Sequence, residues 1–480
     1  MREKREATLG IALIPVFFLA ISLIFTLVVF KLGEPHIPLI TSAMGASGVA
    51  VYFLGYTWNE IEEGIVETIK MSMGAIIIIL VIGILVGIWI KAGIIPAMVY
   101  YGLKILSPRY FLVAAFLICS VVSLATGSSW STVATVGIAL MSIGTALGVA
   151  VPITGGAIIS GAYFGDKISP LSDTTNLAPA MAGANIFDHI RHMLYTTVPS
   201  AVISIILFGI IGLRYADKAL DTEAINGLLT AMSDLFYISP VLLLVPCMVI
   251  AMVIFKFPAI PGLFAASVVG LIFAMVFQGA EIKDLIDIAN NGFYVSSGNA
   301  AVDDLLSGGG MQSMMWTTSL TLCAMTFGGV MEKTGMLYVI AAHILKRAKT
   351  NGQLILATLC SCYGIVFIAG DQYLSIVIPG RMYKLAYEER NLHPKNLSRA
   401  LEDAGTLASP LVPWSSCGAY MMITLGLTPW TYVPYCFLNY LNPIISAIYG
   451  FTGFTIEPLS KEHDATGNST IENSTIEIEG

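Results

Sequence analysis

Charge is what this 480-residue sequence has least of: Asp, Glu, Lys and Arg together make up 11% of it, whereas a soluble domain carries about 25%. Mean hydropathy is correspondingly high, at +0.80. A chain this apolar belongs in a bilayer, and a basic surface for nucleic acid is excluded with it. Histidine and cysteine are scarce too. The seven cysteines (119, 247, 323, 360, 362, 417 and 436) lie inside apolar runs, so they read as small packing residues and not as a disulfide or zinc framework. Neither His-Glu-x-x-His nor Gly-x-Ser-x-Gly occurs, so the two commonest hydrolase signatures are missing. The triglycine after Ser307 lacks the Gly-Lys-Ser/Thr of a phosphate loop and reads as a connector. No cofactor is expected.

Long hydrophobic runs are abundant. They occupy 10–30, 37–56, 73–90, 110–125, 201–213, 235–255, 259–277, 314–330, 354–369 and 428–449, and roughly 20 helical residues cross the hydrocarbon core. Each run is continuously apolar, where barrel strands of about ten residues alternate in polarity. The expected fold is all-α and polytopic, with about 10–12 transmembrane helices by this reading. The first run is longer than a signal-peptide core and precedes no A-x-A site, so it reads as a retained helix.

The sequence repeats itself. Trp89-Ile-Lys-Ala-Gly93 matches Met331-Glu-Lys-Thr-Gly335 at an offset of 242, Ala125-Thr-Gly127 matches Ile368-Ala-Gly370 at 243, and Ser169-Pro-Leu171 matches Ser409-Pro-Leu411 at 240. Three matches in one order imply duplication. The halves are 1–213 and 235–450, joined by a polar linker over 214–234 that holds Lys218, Asp221 and Glu223. An acidic tail over 451–480 is expected to be disordered. Two segments, 94–106 and 110–148, leave the number of crossings open, and with it the relative orientation of the halves.

The apolar pattern breaks in places that matter. From Val151 to Gly183 the chain is rich in small residues, contains Asp166, Lys167 and Asp173, and adds the oxygens of Thr174, Thr175 and Asn176 without one His or Cys. Gly165, Pro170 and Pro179 are expected to interrupt a helix there, and freed backbone groups survive in a bilayer only against protein or a watery cavity. Oxygen ligands of this kind suit hard cations; the alternative is an ordinary turn-rich loop. The matching stretch of the second half holds Glu402, Asp403, Thr406, Ser409 and Ser415, with Arg399 one turn before the acids. A surface ion pair is the competing reading for that trio. Aligned at 240, Asp173 falls opposite Pro413. Two further breaks hold Ser128 and Ser129, and Asp371; a mid-membrane aspartate costs about 2.5–3.5 kcal/mol on insertion scales and marks an ion path unless it caps a helix. His189, Arg191 and His192 read as an interfacial anchor, with pH sensing as the alternative.

The motifs GSSW (127–130), SGAYFGDKISPLSDTTNLAPA (160–180), HIRHML (189–194), EEGIV (62–66), GDQY (370–373) and EDAGTLASPLVPW (402–414) resemble the NhaC family of bacterial and archaeal Na+/H+ antiporters. The resemblance spans both halves. It implies broken or re-entrant helices in inverted repeats, a place in the cell membrane, and Na+ and H+ as the exchanged ions. An organic acid, as in malate/lactate exchange, or an amino acid is the alternative cargo. The expected ligands of Na+ are Asp166, Asp173 and Asp371, because a carboxylate away from water is stabilised either by a proton or by a cation and the two compete for it. A membrane-embedded enzyme is the remote third reading, and a homodimer stays open.

Overall fold

The computed structural model describes residues 4–30, 35–170, 172–215, 222–255, 257–296, 303 and 306–459. Those residues are helical almost throughout, and the only β pairing among them is two isolated bridges, Phe293 with Gly308 and Leu392 with Pro458. Lys218, Asp221, Leu171 and residues 460–480 of the expected tail lie outside the described residues.

The chain runs through α1 (Leu9–Leu23), α2 (His36–Val49), α3 (Trp58–Lys91), α4 (Ile94–Ile105), α5 (Pro108–Thr126), α6 (Ser129–Ala146), α7 (Val151–Ile168), α8 (Asp173–Ala182) and α9 (Ile186–Leu213). It continues through α10 (Thr222–Leu235), α11 (Leu244–Ile254), α12 (Ala259–Gln278), α13 (Ile282–Asn291), α14 (Met315–Lys333), α15 (Met336–Leu345), α16 (Asn351–Ala369), α17 (Gln372–Glu389), α18 (Pro394–Leu401), α19 (Ser416–Leu425) and α20 (Phe437–Thr452). Among the described residues, six stretches are long and apolar enough to cross a bilayer on their own: Leu9–Thr26, His36–Leu54, Ser129–Ala146, Ile186–Leu213, Ile260–Gln278 and Asn351–Ala369. Two bent pairs add to them: the end of α3 meets α4 at 68°, and α10 meets the helix beginning at Pro240 at 87°. The apolar run 428–449 is likewise broken, into a short turn Pro429–Tyr432, a 3-10 turn and α20.

Local chemistry sets these boundaries. α3 starts at a capping box in which Thr57 N donates to Glu60 Oε2 at 2.9 Å. α3 and α14 are each followed by a left-handed glycine, Gly93 (φ 77°) and Gly335 (φ 72°). α5 and α16 end the same way, at Gly127 (φ 63°) and Gly370 (φ 67°), a conformation that costs glycine nothing. Each of these last two glycines precedes a side-chain cap: Ser128 Oγ accepts from Ser131 N at 3.2 Å, and Asp371 Oδ1 accepts from Leu374 N at 2.9 Å. The pattern recurs further on. Ser172 caps α8 and Ser415 caps α19, each accepting from the amide three residues later. These caps are 243 residues apart, the same offset as the two glycines, so Asp173 falls opposite Ser416. The Ser-Pro-Leu match at 240 is displaced by three residues of turn.

Two of the three expected breaks are absent. α7 runs through Gly165 without interruption, and Pro179 lies inside α8; of the described residues between the two helices, Ser169, Pro170 and Ser172 lie outside them. Gly165 serves packing instead. A Cβ there would overlap Leu124 N and Ser120 O of α5, and one on Gly161 would overlap Phe116 O, so both glycines let α7 lie directly on the α5 backbone. Ser123 Oγ completes the seam by donating to Ala162 O at 2.5 Å. The triglycine connector is packed similarly: Gly310 N donates to Gly83 O of α3 at 2.6 Å.

Candidate functional site

The π-helical turn Glu402–Thr406 continues α18. It adds a residue per turn at the point where the second half brings its acids inward, the kind of local irregularity that recurs at functional sites. Arg399, Glu402 and Asp403 are all fully or almost fully buried, which removes the reading of this trio as a surface ion pair. The first half meets it with the break between α7 and α8.

Two carboxyl groups stand at the centre. Asp166 Oδ2 accepts from Ser129 N at 3.0 Å and from Ser129 Oγ at 2.6 Å, so it is held at the N-terminus of α6, where the helix dipole favours negative charge. Its other oxygen, Oδ1, is buried without a hydrogen-bond partner. Glu402 repeats the arrangement: Oε1 accepts from Thr406 Oγ1 at 2.8 Å and Thr174 Oγ1 at 3.1 Å, while Oε2 is buried and unpartnered. The Ser172 and Thr174 hydroxyls lie 3.2 Å apart, so the cap of α8 sits beside the Thr174 hydroxyl that donates to Glu402. Thr175 Oγ1 ties down the end of α7 by donating to Lys167 O at 2.9 Å and Asp166 O at 3.1 Å. Each of the two carboxylates thus has one oxygen fixed and one buried without a partner, an arrangement that a proton or a cation would satisfy.

The other expected residues fall around this centre. Asp173 is exposed, and its Oδ2 accepts from the Tyr373 hydroxyl of α17. Asp371 is buried as the cap of α17. Asp403 Oδ1 pairs with Lys167 Nζ at 2.7 Å and accepts from Thr196 Oγ1 at 3.0 Å. Ser128 caps α6, while Ser415 caps α19 and donates to Ser409 O at 2.5 Å. Asn176 is exposed, and its amide closes the break through Ser172 O (2.6 Å) and Pro170 O (2.9 Å). The structure thus gathers Asp166, Ser129, Thr174, Thr175, Glu402 and Thr406. It leaves Asn176 outside, and it gives Ser415 and Ser409 to the turn before α19.

Several residues near the site went unnoticed in the sequence. Trp130 stacks on Tyr420 at 4.3 Å and 8°, Tyr420 OH donates to Trp130 O at 2.8 Å, and Cys417 Sγ donates to Gln372 Oε1 at 3.3 Å. Trp130 Nε1 and Tyr163 OH are buried without an acceptor. Trp130 stands in GSSW and Gln372 in GDQY, so the motif boundaries contained this signal. The histidines are not an interfacial anchor. His189 Nδ1 lies 2.8 Å from Ser398 Oγ and His192 Nε2 lies 2.7 Å from Thr455 O, both rings buried where α9 packs on α18.

The family model described as "Na+/H+ antiporter family" matches residues 161–454. The chain is 41% identical over 454 residues to the Na(+)/H(+) antiporter NhaC of Alkalihalophilus pseudofirmus, covering 94% of this chain and 97% of that one. It is 38% identical over 452 residues to the Na(+)/H(+) antiporter NhaC of Bacillus subtilis, covering 94% and 99%. To the malate-2H(+)/Na(+)-lactate antiporter of Bacillus subtilis it is 37% identical over 400 residues, covering 83% and 86%.

Proposed function

The chain belongs to the Na+/H+ antiporter family, and we propose that its Na+ and H+ are exchanged at the buried carboxylates Asp166 and Glu402. It is a multi-pass protein of the cell membrane and a secondary antiporter of these two ions. One observation carries the assignment of the site: each of the two carboxyls is anchored by one oxygen and has the other buried and unsatisfied. A Na+ ion placed between Oδ1 and Oε2 satisfies both, and protons satisfy them equally, so occupancy by one excludes the other. Competition for a single site, opened to the two sides in turn, yields exchange. Asp173, exposed and bonded to Tyr373, stands at the watery mouth of the site. The paired glycine breaks and serine caps support two repeats, 1–213 and 235–450, that meet at this point. The protein does no covalent chemistry in this reading.

The test is Na+-driven proton movement in proteoliposomes, followed with a pH dye and radioactive sodium and without organic solute. Exchange under those conditions supports the proposal. A second reading couples the ions to an organic acid, and the unpartnered donors Trp130 Nε1 and Tyr163 OH favour it, because a carboxylate would satisfy both. Proton movement that starts only when malate or lactate is added selects that reading.

A further inference from the structure

A buried exchange site needs a way out on each side of the membrane. Asp173 is exposed at the start of α8, and α8 leads into the N-terminal end of α9. From its middle onward, α9 carries a second set of buried polar groups. Thr197, Ser200 and Ser204 are fully buried and recur at intervals of three and four along one face of the helix. Each hydroxyl spends its proton on its own helix: Thr197 Oγ1 donates to Met193 O at 2.8 Å, Ser200 Oγ to Thr196 O at 2.6 Å and Ser204 Oγ to Ser200 O at 2.7 Å. What they present to the neighbouring helix is lone pairs.

That neighbour is α20, which runs antiparallel to α9. Asn442 Nδ2 donates to Thr197 Oγ1 at 3.4 Å, and nearer the start of α20 the Phe437 ring lies 4.8 Å from the Phe208 ring. Between these contacts, Asn439 Nδ2 donates at 3.1 Å to the carbonyl of Leu407, the residue after the π-helical turn that carries Glu402. With both amide nitrogens engaged, the oxygens are left over: Asn439 Oδ1 and Asn442 Oδ1 are buried and, among the described residues, without a partner. Pro443 has no N–H to give the Asn439 carbonyl either. Polar side chains that only glue two helices together satisfy one another across the seam, and these amide oxygens do not.

The seam touches the exchange site at one end and is closed at the other. Thr196 Oγ1 donates to Asp403 Oδ1 at 3.0 Å, beside Glu402 in the π-helical turn. Beyond Ser204, on the same face of α9, comes Phe208, fully buried between Phe437 and the ring of Phe116 of α5, 6.0 Å away. One turn further, a Cβ on Gly212 would stand 2.5 Å from the carbonyl of Arg109, an exposed residue at the start of α5. We propose that the α9–α20 seam is the second access route of the exchange site, a line of uncharged oxygens leading from the π-helical turn to the membrane face beside Arg109, held shut by Phe208 and Phe437. Uncharged oxygens replace part of an ion's hydration shell while binding it weakly enough to let it leave, which suits a route and not a resting place. The inference rests on the exchange site at Asp166 and Glu402 proposed above.

Sodium-driven proton flux in proteoliposomes, with tracer sodium counted in parallel, tests it on wild type, Ser204→Val, Phe208→Ala, Asp166→Asn and Ile206→Ala, the last a control on the exposed face of α9. Ser204→Val keeps the shape and removes the oxygen, so it is expected to lower the maximal rate about tenfold. Its KM for Na+ is expected to stay within about twofold of wild type, because the binding site is untouched. Phe208→Ala opens the closed end, and tracer sodium is expected to leak down its gradient without proton counter-movement at least about fivefold faster than through wild type. If Phe208→Ala does not fold, Ser204→Cys decides: a small cationic methanethiosulfonate reagent, added during turnover, is expected to stop its flux and to spare wild type. The proposal is overturned by Ser204→Val exchanging at the wild-type rate or changing KM alone, by a folded Phe208→Ala that stays tightly coupled, or by Ser204→Cys indifferent to the reagent. A loss of rate in Ile206→Ala equal to that in Ser204→Val overturns it as well, since the cause would then be helix packing. Full exchange by Asp166→Asn sinks the exchange site instead, and a slow Ser204→Val beside it would leave the route standing.

Discussion

At the scale of single residues the site is decided by which oxygen lacks a partner. Asp166→Asn keeps an acceptor for Ser129 and removes the charge, so exchange is expected to fall about a hundredfold, the effect of losing a charged buried contact. Transport at saturating Na+ is the measurement, with Ser129→Ala as a milder companion. Asn176→Ala is expected to leave exchange in place and to cost about 1 kcal/mol of stability, because among the described residues the Asn176 amide donates to Pro170 O and Ser172 O of the break itself. A hundredfold loss of flux in Asn176→Ala would return that residue to the site. The sequence could place all of these in one polar stretch but could not rank them. It named Asp166 and Asp173 alike, whereas Asp173 is exposed and Asp166 has a buried oxygen without a partner. The pair Lys167–Asp403 was invisible for a simpler reason: its members are far apart in the chain, and neither sits in a pattern that announces the other.

At the scale of elements, the glycines separate into those that turn the chain and those that let helices touch. Gly127 and Gly370 were legible as paired breaks, since an αL cap leaves a compositional trace. Gly165 was misread as a break because a glycine inside an apolar helix looks the same whether it bends the backbone or admits a neighbour. The π-turn over 402–406 has no composition of its own and could not be foreseen. Gly161→Ala places a methyl group against Phe116 O of α5. We expect it to destabilise the α5–α7 seam by about 1–3 kcal/mol and to lower the melting temperature in detergent. Gly74→Ala in α3 has open space around its Cβ, so it is the matched control, expected to be neutral or stabilising by about 0.5–1 kcal/mol. Equal melting temperatures for the two variants would remove the close-packing role given to Gly161.

At the scale of the whole molecule, α9, α18 and the segment after α20 form one joint. Of the stretch read in the sequence as a tail, residues 453–459 fold back onto this joint. Thr455 O meets His192, Thr455 Oγ1 accepts from Arg399 Nη1 at 2.9 Å, and Asn396 holds the Glu457 backbone through Nδ2 (2.7 Å) and Oδ1 (3.1 Å). Lys395 pairs with Glu457. Arg399 and Asn396 belong to the helix that continues into Glu402 and Asp403, so the segment is bonded to the element that carries the proposed ion site. A chain ending at Thr452 loses these bonds and is expected to melt lower than one ending at Leu459, which keeps them.

Acid should weaken the same joint. The hydrogen bond from Lys395 holds the Glu457 carboxyl below its ordinary value. A lowered value in the folded state means that the pair stabilises at pH above the unfolded carboxyl value, and that this contribution fades as pH falls through the folded one. Half exposure limits it to about 0.5–1 kcal/mol. Glu457→Gln is therefore expected to melt slightly below wild type at neutral pH, with the two curves converging as pH drops below about 4. A melting difference that stays constant from neutral pH to acid would show that the Lys395–Glu457 pair contributes nothing to closing the joint.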